Sequence, residues 1–569
     1  MAKKLKAPWL KSYGKGVKKS LRYPNISMYD FIERTANKYP LHVAIDYFGR
    51  QITYEDLMRQ IDMAARGLKE IGVKKGDVVS ICSANIPEAI YAIYAVNKIG
   101  TVANIFHPLS SPAEIEYALN LTSSRYLVVI DISWQSAKKV LKNTSVKKVI
   151  AISPTMSLPF VPRASIKLMN LVPLLHKKQE YPSGDNVILW QDLLAYGARF
   201  YGDVNIHTKR KDLAVIIYSG GTTGTSKGVA LSNLSFNSMA MQVKEMFSDY
   251  AKPGNSILGI MPIFHGFGLA VGIHAMFVNA MTVMMYPKFD AKRFDRILKQ
   301  SRPNLLVGVP TLYEAMLRNR HIKKLDLSCV KLAISGGDLL DDNLKKSVEK
   351  LLRKTGSQAN LIQGYGLAEC VSVSCVTPED KYKPYTVGIP CPDVFYKIVE
   401  PGTDFEKPAG ELGEIVLTGP NLMSGYVNNV KETNEALRRH GDGHIWLHTG
   451  DIGYMDKDGY VFFKQRLKRI IVSSGYNIYP SKVEGVICQI DEVLMATVVG
   501  IPDEYRGHIA KAFVVLNDGV KPSSEIKHKI MAHCRENLAK FELPRLIEFR
   551  ESLPKTKVGK VAYTELMKD

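Results

Sequence analysis

The sequence of 569 residues has few of the features that mark secreted, zinc-binding or membrane-spanning proteins. Its seven cysteines are scattered and form no CxxC pair, so we expect neither a disulfide framework nor a cysteine zinc site, and a reducing cytosol is favoured. The basic N-terminus has no apolar core, so no secretory signal is visible. The most apolar stretch, residues 260–286, contains His265, His274 and Asn279, which favours a buried segment or a pocket wall over a membrane span.

Acidic residues are outnumbered, because 76 Lys and Arg stand against 55 Asp and Glu and give a formal net charge of +21. Residues 1–29 contain eight Lys or Arg and no acid. No nucleic-acid-binding motif and no basic stripe studded with aromatic residues stands out, so a nucleic-acid partner is not expected. For the basic N-terminus two interpretations remain, a solvated surface and peripheral contact with an anionic membrane. The expected location is the cytoplasm, with peripheral membrane contact left open.

What the sequence does contain is a loop rich in glycine and threonine, YSGGTTGTSKGV at 218–229, directly after an apolar run. Its glycines leave backbone N–H groups accessible, and its hydroxyls and Lys227 add further donors, a combination that suits a bound phosphate. The Walker phosphate loop needs glycine directly before the lysine and Ser or Thr directly after it. Here Ser226 precedes Lys227 and Gly228 follows it, so a P-loop NTPase is not indicated.

Strand and helix patterns alternate in the middle of the chain. The predicted strands are 304–310, 330–335 and 360–363, and the predicted helices between them are 311–320 and 341–356. This βαβαβ order implies a parallel sheet covered by helices. The loops SGGDLL (335–340) and GYGLAEC (364–370) should meet the glycine-rich loop in one cleft, because ligands bind beyond the carboxyl ends of such strands. From about residue 466 the shorter segments predict a small α+β domain.

Six segments of the chain resemble, in the same order, the signature segments of the adenylate-forming enzymes, the acyl-CoA synthetase and luciferase superfamily. They are YSGGTTGTSKGV, GYGLAEC, GELGEIVLTGPNLMSGY, HTGDIGYMDKDGYVFF, QRLKRIIVSSGYNIYPSKVE and LPKTKVGKV. The N-terminal segment is similar to bacterial fatty-acid–CoA ligases, so the resemblance covers nearly the whole chain. It implies an α/β fold in which a large N-terminal domain of sheets flanked by helices (1–465) is joined by a hinge (466–470) to a small, mobile α+β domain (471–569).

The resemblance also implies a reaction. Superfamily members couple a carboxylic acid to ATP as an acyl-adenylate and then transfer the acyl group to coenzyme A. We therefore expect an ATP-dependent, AMP-forming acyl-CoA ligase of lipid metabolism that uses ATP, Mg²⁺ and coenzyme A, with a medium- or long-chain fatty acid as substrate. Aryl or other carboxylate–CoA ligation, acyl transfer to a separate carrier protein and a weakly catalytic adenylate-binding role remain as alternatives. The chain length of the acid and the oligomeric state are left open.

Candidate site residues come from the same resemblance. Lys560 is expected to bring a cation to the α-phosphate and the acyl carboxylate, and the other catalytic candidates are Glu369, Lys227 and His265. The residues expected to bind ATP or AMP are Thr222, Thr223, Gly224, Gly336, Gly337, Tyr365, Gly366, Asp451 and Arg466. Glu369 and Thr222 are expected to hold Mg²⁺, which prefers oxygen ligands. Lys468 is expected in the hinge and Gly475 beside the pantetheine arm of coenzyme A.

The sequence also departs from the superfamily pattern. Ala368 stands where threonine is usual before the glutamate, which removes a hydroxyl contact worth about 0.5–1.5 kcal/mol. Ser226 replaces a common proline, and at the hinge Gln465 and Arg469 replace a glycine and an acid. These changes leave the candidate catalytic residues in place, so an active enzyme is expected.

Overall fold

The computed structural model describes residues 4–159, 181–219, 226–473, 476–517, 519–556 and 561–567. The strands β1–β27 are, in chain order, Val43–Tyr47, Arg50–Thr53, Val78–Cys82, Val102–Phe106, Tyr126–Ile130, Lys148–Ile152, Val187–Leu189, Leu213–Ser219, Lys227–Ser232, Ser256–Gly259, Thr282–Met285, Leu305–Gly308, Leu332–Ser335, Leu361–Tyr365, Cys375–Val376, Ile389–Pro390, Phe395–Val399, Gly413–Thr418, Gly425–Tyr426, Leu437–Arg439, Ile445–Met455, Val461–Arg466, Ile471–Ser473, Tyr476–Ile478, Val493–Asp503, Gly507–Leu516 and Leu546–Phe549.

The α-helices lie between these strands and cover the sheets. Helices α1–α15 are, in chain order, Met28–Lys38, Tyr54–Glu70, Pro87–Lys98, Pro112–Leu121, Trp134–Lys138, Trp190–Arg199, Asn233–Met246, Met276–Val278, Phe294–Ser301, Pro310–Arg318, Asp342–Lys354, Val430–Ala436, Pro480–Ile487, Ser524–Asn537 and Tyr563–Leu566. A π-helix spans Phe267–Ala275.

Two large sheets form most of the N-terminal part. The first has the strand order β16-β15-β14-β13-β12-β10-β11-β1-β2, and its pairs from β14 to β1 are parallel. The second has the order β19-β9-β8-β4-β3-β5-β6-β7 and is parallel from β8 to β7. Strands β8 and β9 pair antiparallel, so the chain reverses direction across the glycine-rich loop.

Two smaller sheets follow. The third has the order β17-β18-β21-β20 with β22 paired to β21, and the fourth has β24-β23-β26-β25 with β27 paired to β26. Buried residues of the fourth sheet form core clusters separate from the main one. The predicted hinge, 466–470, begins at the last residue of β22 and ends just before β23, and its residues 467–469 form a single 3₁₀ turn. The predicted fold class is confirmed, whereas the hinge and the domain bounds stay predictions.

The predicted βαβαβ unit is confirmed with small differences at its ends. Strands β12, β13 and β14 are neighbours and parallel, and α10 and α11 connect them. The carboxylate of Asp341 caps α11 by accepting from the N–H groups of Asn343 and Leu344, and Gly356 follows the helix with φ +90°. The loops after β13 and β14 therefore begin side by side at the carboxyl edge of the first sheet.

The apolar stretch 260–286 is buried, as predicted. It contains the π-helix, whose residues are all buried, and leads through α8 into β11. Within it, His274 is bonded to Tyr94 and Asn237, and burial lowers the pKa of its imidazole to about 3, so it is a neutral core histidine. Over the residues that the structure covers, no helix combines the length and the apolar character needed to cross a bilayer. The seven cysteines are free thiols.

The N-terminal segment is anchored on the third sheet through its aromatic residues. Trp9 is 1% exposed and clusters with Tyr13, Tyr460 and Phe462. Beside it, Gly459 has φ +86°, and a Cβ there would lie 2.5 Å from the backbone nitrogen of Trp9. Packing at this point is therefore tight enough to exclude any side chain at 459, and it fixes the basic segment on the body of the protein.

Candidate active site

Glycines shape the two loops at the carboxyl edge of the first sheet. After β13, Gly337 has φ +81° and a Cβ on Gly336 would lie 3.3 Å from the ring of Phe267. After β14, a Cβ on Gly366 would lie 1.4 Å from the carbonyl oxygen of Ser372, which no other residue could accommodate. These predicted site glycines bring the backbone close to its neighbours, in positions where a side chain would be crowded or the backbone strained.

A first group of charged side chains joins the second sheet to the loop after β14. Lys227 begins β9, and its Nζ lies 2.8 Å from Oε2 of Glu432 and 4.9 Å from the ring centre of Tyr426. The hydroxyl of Tyr426 donates to Oε1 of Glu369 at 2.9 Å. Burial and the nearby Glu369 carboxylate raise the pKa of Tyr426, so this hydroxyl stays protonated and can donate.

A second group joins the loop after β14 to the third sheet. The hydroxyl of Tyr365 donates to Oδ2 of Asp451 at 2.6 Å, and Nε of Arg466 lies 3.3 Å from Oδ1 of the same carboxylate. Strands β21 and β22 place Asp451 and Arg466 directly opposite each other. Asp451 is only 1% exposed, and its charge is the main reason why the pKa of the Arg466 guanidinium is raised. A buried carboxylate thus has a cation and a phenol hydroxyl as its partners.

The two groups are close enough to affect each other electrostatically. The pKa of Arg466 is raised also by Glu369 and by Asp338, which follows Gly337, and Arg466 in turn opposes the rise in the pKa of Tyr426. Lys227, Glu369 and Asp451 therefore lie near one another, although they belong to the second sheet, the loop after β14 and the third sheet. The arrangement brings the cations of Lys227 and Arg466 close to the carboxylates of Glu369 and Asp451.

His265 lies at the start of the π-helix, where its Nδ1 accepts from the N–H of Phe267 at 3.2 Å. The preceding residue, Phe264, contacts the ring of His107 with centroids 4.3 Å apart. His107 follows β4, the neighbour of β8, and so lies near the strand end that leads into the glycine-rich loop. His265 is half-buried.

The small domain contributes to a cavity on the far side of the loop after β13. From the large domain Glu314 and Asp338 line it, and from the small domain Glu484, Val561 and Tyr563 do. The predicted residues Thr222, Thr223, Gly224, Gly475 and Lys560 lie outside the described residues, as does the side chain of Lys468. Val561 directly follows Lys560 in the chain, so the described end of that segment faces the same loop as Asp338.

Comparison with known families decides the class of protein. Residues 32–427 match the family model described as AMP-binding enzyme, and residues 482–560 match that of the AMP-binding enzyme C-terminal domain. The first match alone spans more than half of the chain. The chain belongs to the AMP-binding enzyme family.

Known relatives of this AMP-binding enzyme extend over nearly its full length. It is 31% identical to the long-chain-fatty-acid–CoA ligase of Bacillus subtilis (strain 168), covering 99% of this chain and 98% of that one. It is 30% identical to the probable 4-coumarate–CoA ligase 1 of Dictyostelium discoideum, over 88% and 87%. Its fold matches the crystal structure of the anthranilate CoA ligase AuaEII with anthranoyl-AMP at a TM-score of 0.81, with 22% identity and 96% of each chain covered. The predicted superfamily is confirmed.

Glu369 suits the Mg²⁺ ion that AMP-binding enzymes imply. Its Oε1 accepts from Tyr426, and its second oxygen has no hydrogen-bond or ion-pair partner within the described ranges. No group of three His, Cys, Asp or Glu in those ranges could hold a metal by itself. Mg²⁺ is commonly held by one or two carboxylates together with substrate phosphates, so the residues fit an ion that arrives with ATP.

Reasoning from the sequence missed two members of the first group. Tyr426 is the last residue of the quoted segment GELGEIVLTGPNLMSGY, and its position at the end of a signature segment was the available signal. Glu432 carries no such signal, because its approach to Lys227 depends on where α12 packs beside β19 and β21.

Proposed function

We propose that this AMP-binding enzyme is an acid–thiol ligase that activates a medium- or long-chain fatty acid with ATP and transfers the acyl group to coenzyme A. The observation that carries the proposal is the grouping of Lys227, Glu369, Asp451 and Arg466, which are linked through Tyr426 and Tyr365. Such a grouping suits a nucleoside triphosphate, because it offers cations to the phosphates and a carboxylate to the ribose. The full-length similarity to a long-chain-fatty-acid–CoA ligase favours an aliphatic acid.

In the first step a carboxylate oxygen of the acid attacks the α-phosphorus of ATP, the bond to the bridging oxygen breaks and pyrophosphate leaves. Thr222, Thr223, Gly224 and Lys227 would hold the β- and γ-phosphates, where negative charge grows as the bond breaks. Lys560 would neutralise the repulsion between the carboxylate and the α-phosphate. Mg²⁺, held by Glu369 and the hydroxyl of Thr222, would supply further positive charge to the phosphate oxygens.

Adenosine would lie between the loops after β13 and β14. Gly336, Gly337 and Gly366 have no side chains that would obstruct a flat base. The ring of Tyr365 would stack on that base. Asp451 would accept hydrogen bonds from the ribose hydroxyls, with Arg466 beside it. The bond from Tyr365 to Asp451 supports this assignment, because it couples the base-binding ring to the ribose-binding carboxylate.

In the second step the sulfur of coenzyme A attacks the acyl carbon, its proton is lost to solvent or base, and AMP leaves. The small domain would turn about 466–470, with Lys468 in the hinge and Gly475 beside the pantetheine arm. His265, which lies just before the π-helix, would border the acyl group.

The test measures AMP release from ATP with octanoate, palmitate, benzoate and 4-coumarate, each with and without coenzyme A. We expect repeated turnover with an aliphatic acid and only when coenzyme A is present. Faster turnover with an aromatic acid would show that the substrate is an aromatic acid and not a fatty acid. Turnover without coenzyme A would point to another acyl acceptor. No AMP release with any acid would overturn the proposal.

We also propose peripheral contact between the N-terminus and anionic lipid. Lys4, Lys15, Lys19 and Arg22 are exposed, while Lys6, Lys11 and Lys18 pair with acids of the protein. Each basic residue near such a surface contributes about 1 kcal/mol. Flotation with vesicles containing phosphatidylglycerol should recover the protein at low salt, and replacing these four exposed residues by Gln should abolish recovery. Equal recovery of both proteins would contradict this location.

A further inference from the structure

The HTGD segment forms an irregularity in the third sheet. Across the pair of β18 and β21, Glu414 lies opposite Ile452 and Val416 lies opposite His448. One residue on β18 therefore faces three on β21, residues 449–451. Extra residues on one strand leave backbone N–H and C=O groups without hydrogen-bond partners on the other strand, and they change the direction of the side chains nearby. Asp451 is the last residue of this bulge, and Gly450 before it has φ +67°.

Side chains satisfy the backbone groups that the bulge frees. The carboxylate of Glu414 accepts from the N–H of Gly450 with Oε1 at 3.0 Å. The hydroxyl of Thr449 donates to the carbonyl of Ile415 at 2.6 Å and accepts from the N–H of Asp451 at 3.0 Å. The backbone conformation of the segment that carries Asp451 is thus fixed on one side by Thr449 and on the other by Glu414.

Glu414 is itself bonded to His448, and His448 is bonded in turn to His440. Nδ1 of His448 lies 2.9 Å from Oε2 of Glu414, and Nε2 of His448 lies 2.9 Å from Nε2 of His440. All three side chains are buried. Burial would raise the pKa of the Glu414 carboxyl, but the hydrogen bonds from His448 and Gly450 hold it below its usual value, so the carboxylate is ionised.

Hydrogen-bond chemistry fixes the tautomers of His448 and His440. An ionised Glu414 can only accept, so Nδ1 of His448 carries its proton and donates. Nε2 of His448 then accepts from Nε2–H of His440. That leaves Nδ1 of His440 as a lone pair, and this atom has no hydrogen-bond partner among the residues described. The reverse arrangement would bury an N–H without an acceptor, which costs more than an unused lone pair.

We propose that Glu414, oriented by His448 and His440, is a positioning residue that sets the affinity for the ribose of ATP through Gly450 and Asp451. The inference rests on the proposed function, because Asp451 is assigned there to the ribose hydroxyls. Glu414 does not touch substrate. Its contribution is to hold the bulge in the one conformation that directs the Asp451 carboxylate into the cleft.

The experiment compares kcat/KM for ATP with that for 2′,3′-dideoxy-ATP, using the acid that turns over best. Glu414→Gln places an amide N–H₂ against one of two donors, so one bond is lost and the bulge loosens. We expect the preference for ATP to fall roughly tenfold, as in Asp451→Asn, with KM for ATP rising more than kcat falls. The double variant should lose little more than either single variant, because the two residues act in series.

Matched variants separate positioning from general damage. Asp393→Asn is the control, because Asp393 also bonds a backbone N–H and a side-chain hydroxyl, those of Leu21 and Tyr23, at a place away from the bulge. His448→Asn keeps an amide donor for Glu414 and should keep the preference, whereas His448→Leu should lose it. This second pair decides the matter if Glu414→Gln does not fold.

The outcomes are distinct. A folded Glu414→Gln enzyme with the wild-type preference, alongside a reduced preference in Asp451→Asn, would overturn the positioning role and leave the proposed function intact. Equal preference in wild type and Asp451→Asn would overturn the ribose contact and the positioning with it, while AMP release by the wild type would still establish the ligase. Loss of preference in Asp393→Asn would show that any destabilisation suffices, which would also overturn the inference.

Discussion

The hydroxyl of Tyr426 offers the sharpest test of the metal-binding role assigned to Glu369. Tyr426→Phe keeps the ring beneath Lys227 and removes only the donor that lies 2.9 Å from Oε1 of Glu369. A hydrogen bond to a charged group contributes about 1.5–3 kcal/mol, and loss of a group that orients a metal-ligating carboxylate typically costs 10- to 100-fold in metal affinity. The two magnitudes agree, because tenfold corresponds to about 1.4 kcal/mol.

The assay follows pyrophosphate release as Mg²⁺ is raised from limiting to saturating at fixed ATP. We expect the half-saturating Mg²⁺ concentration to rise about 10- to 100-fold in Tyr426→Phe, with most activity recovered at saturation. Tyr454→Phe is the control, because Lys464 also lies over that ring and its hydroxyl makes no hydrogen bond within the described part of the chain. An unchanged Mg²⁺ dependence in Tyr426→Phe, or a loss that saturating Mg²⁺ leaves uncorrected, would refute the reasoning.

Three further predictions concern the hinge, the small domain and pH. Lys560→Ala should reduce adenylate formation about 10²–10³-fold and spare thioester formation from supplied acyl-adenylate. Lys555→Ala is the control, and equal loss in both half-reactions would contradict the role of Lys560. Gln465→Leu should raise the urea midpoint, because both amide atoms of Gln465 are buried without a partner in the described ranges; a lower midpoint would count against this. Burial, Lys397 and His448 lower the pKa of His440 from 6.5 to about 4, so the unfolded chain binds a proton there that the folded chain does not. The wild type should therefore lose stability between pH 6.5 and 4 more steeply than His440→Phe; parallel curves in urea would rule this out.

The sequence predicts those parts of the molecule that depend on local pattern. The alternation over 304–363 predicts three parallel strands and two helices, and the ends differ from the structure by only one or two residues, as for α11, predicted as 341–356 and found at Asp342–Lys354. Local propensity and capping suffice there, since Asp341 and Gly356 mark the helix ends in the sequence itself.

The site is predictable only where the signature segments name its residues. The bond between Tyr426 and Glu369 spans 57 positions, and that between Glu414 and His448 spans 34, so both depend on strand register and not on local pattern. The bulge that frees Gly450 is equally invisible, because it exists only when β18 pairs with β21. Long-range register is the information that a single sequence does not expose.

The aromatic anchor of the N-terminus has a consequence for β22. That strand carries Phe462, which packs in the cluster of Trp9, near its beginning, and Arg466, the partner of Asp451, at its end. Proteolytic trimming of the first fourteen residues would strip the cover from Phe462 and let this strand fray. The first fourteen residues would then influence how rigidly Arg466 is held at the end of this strand.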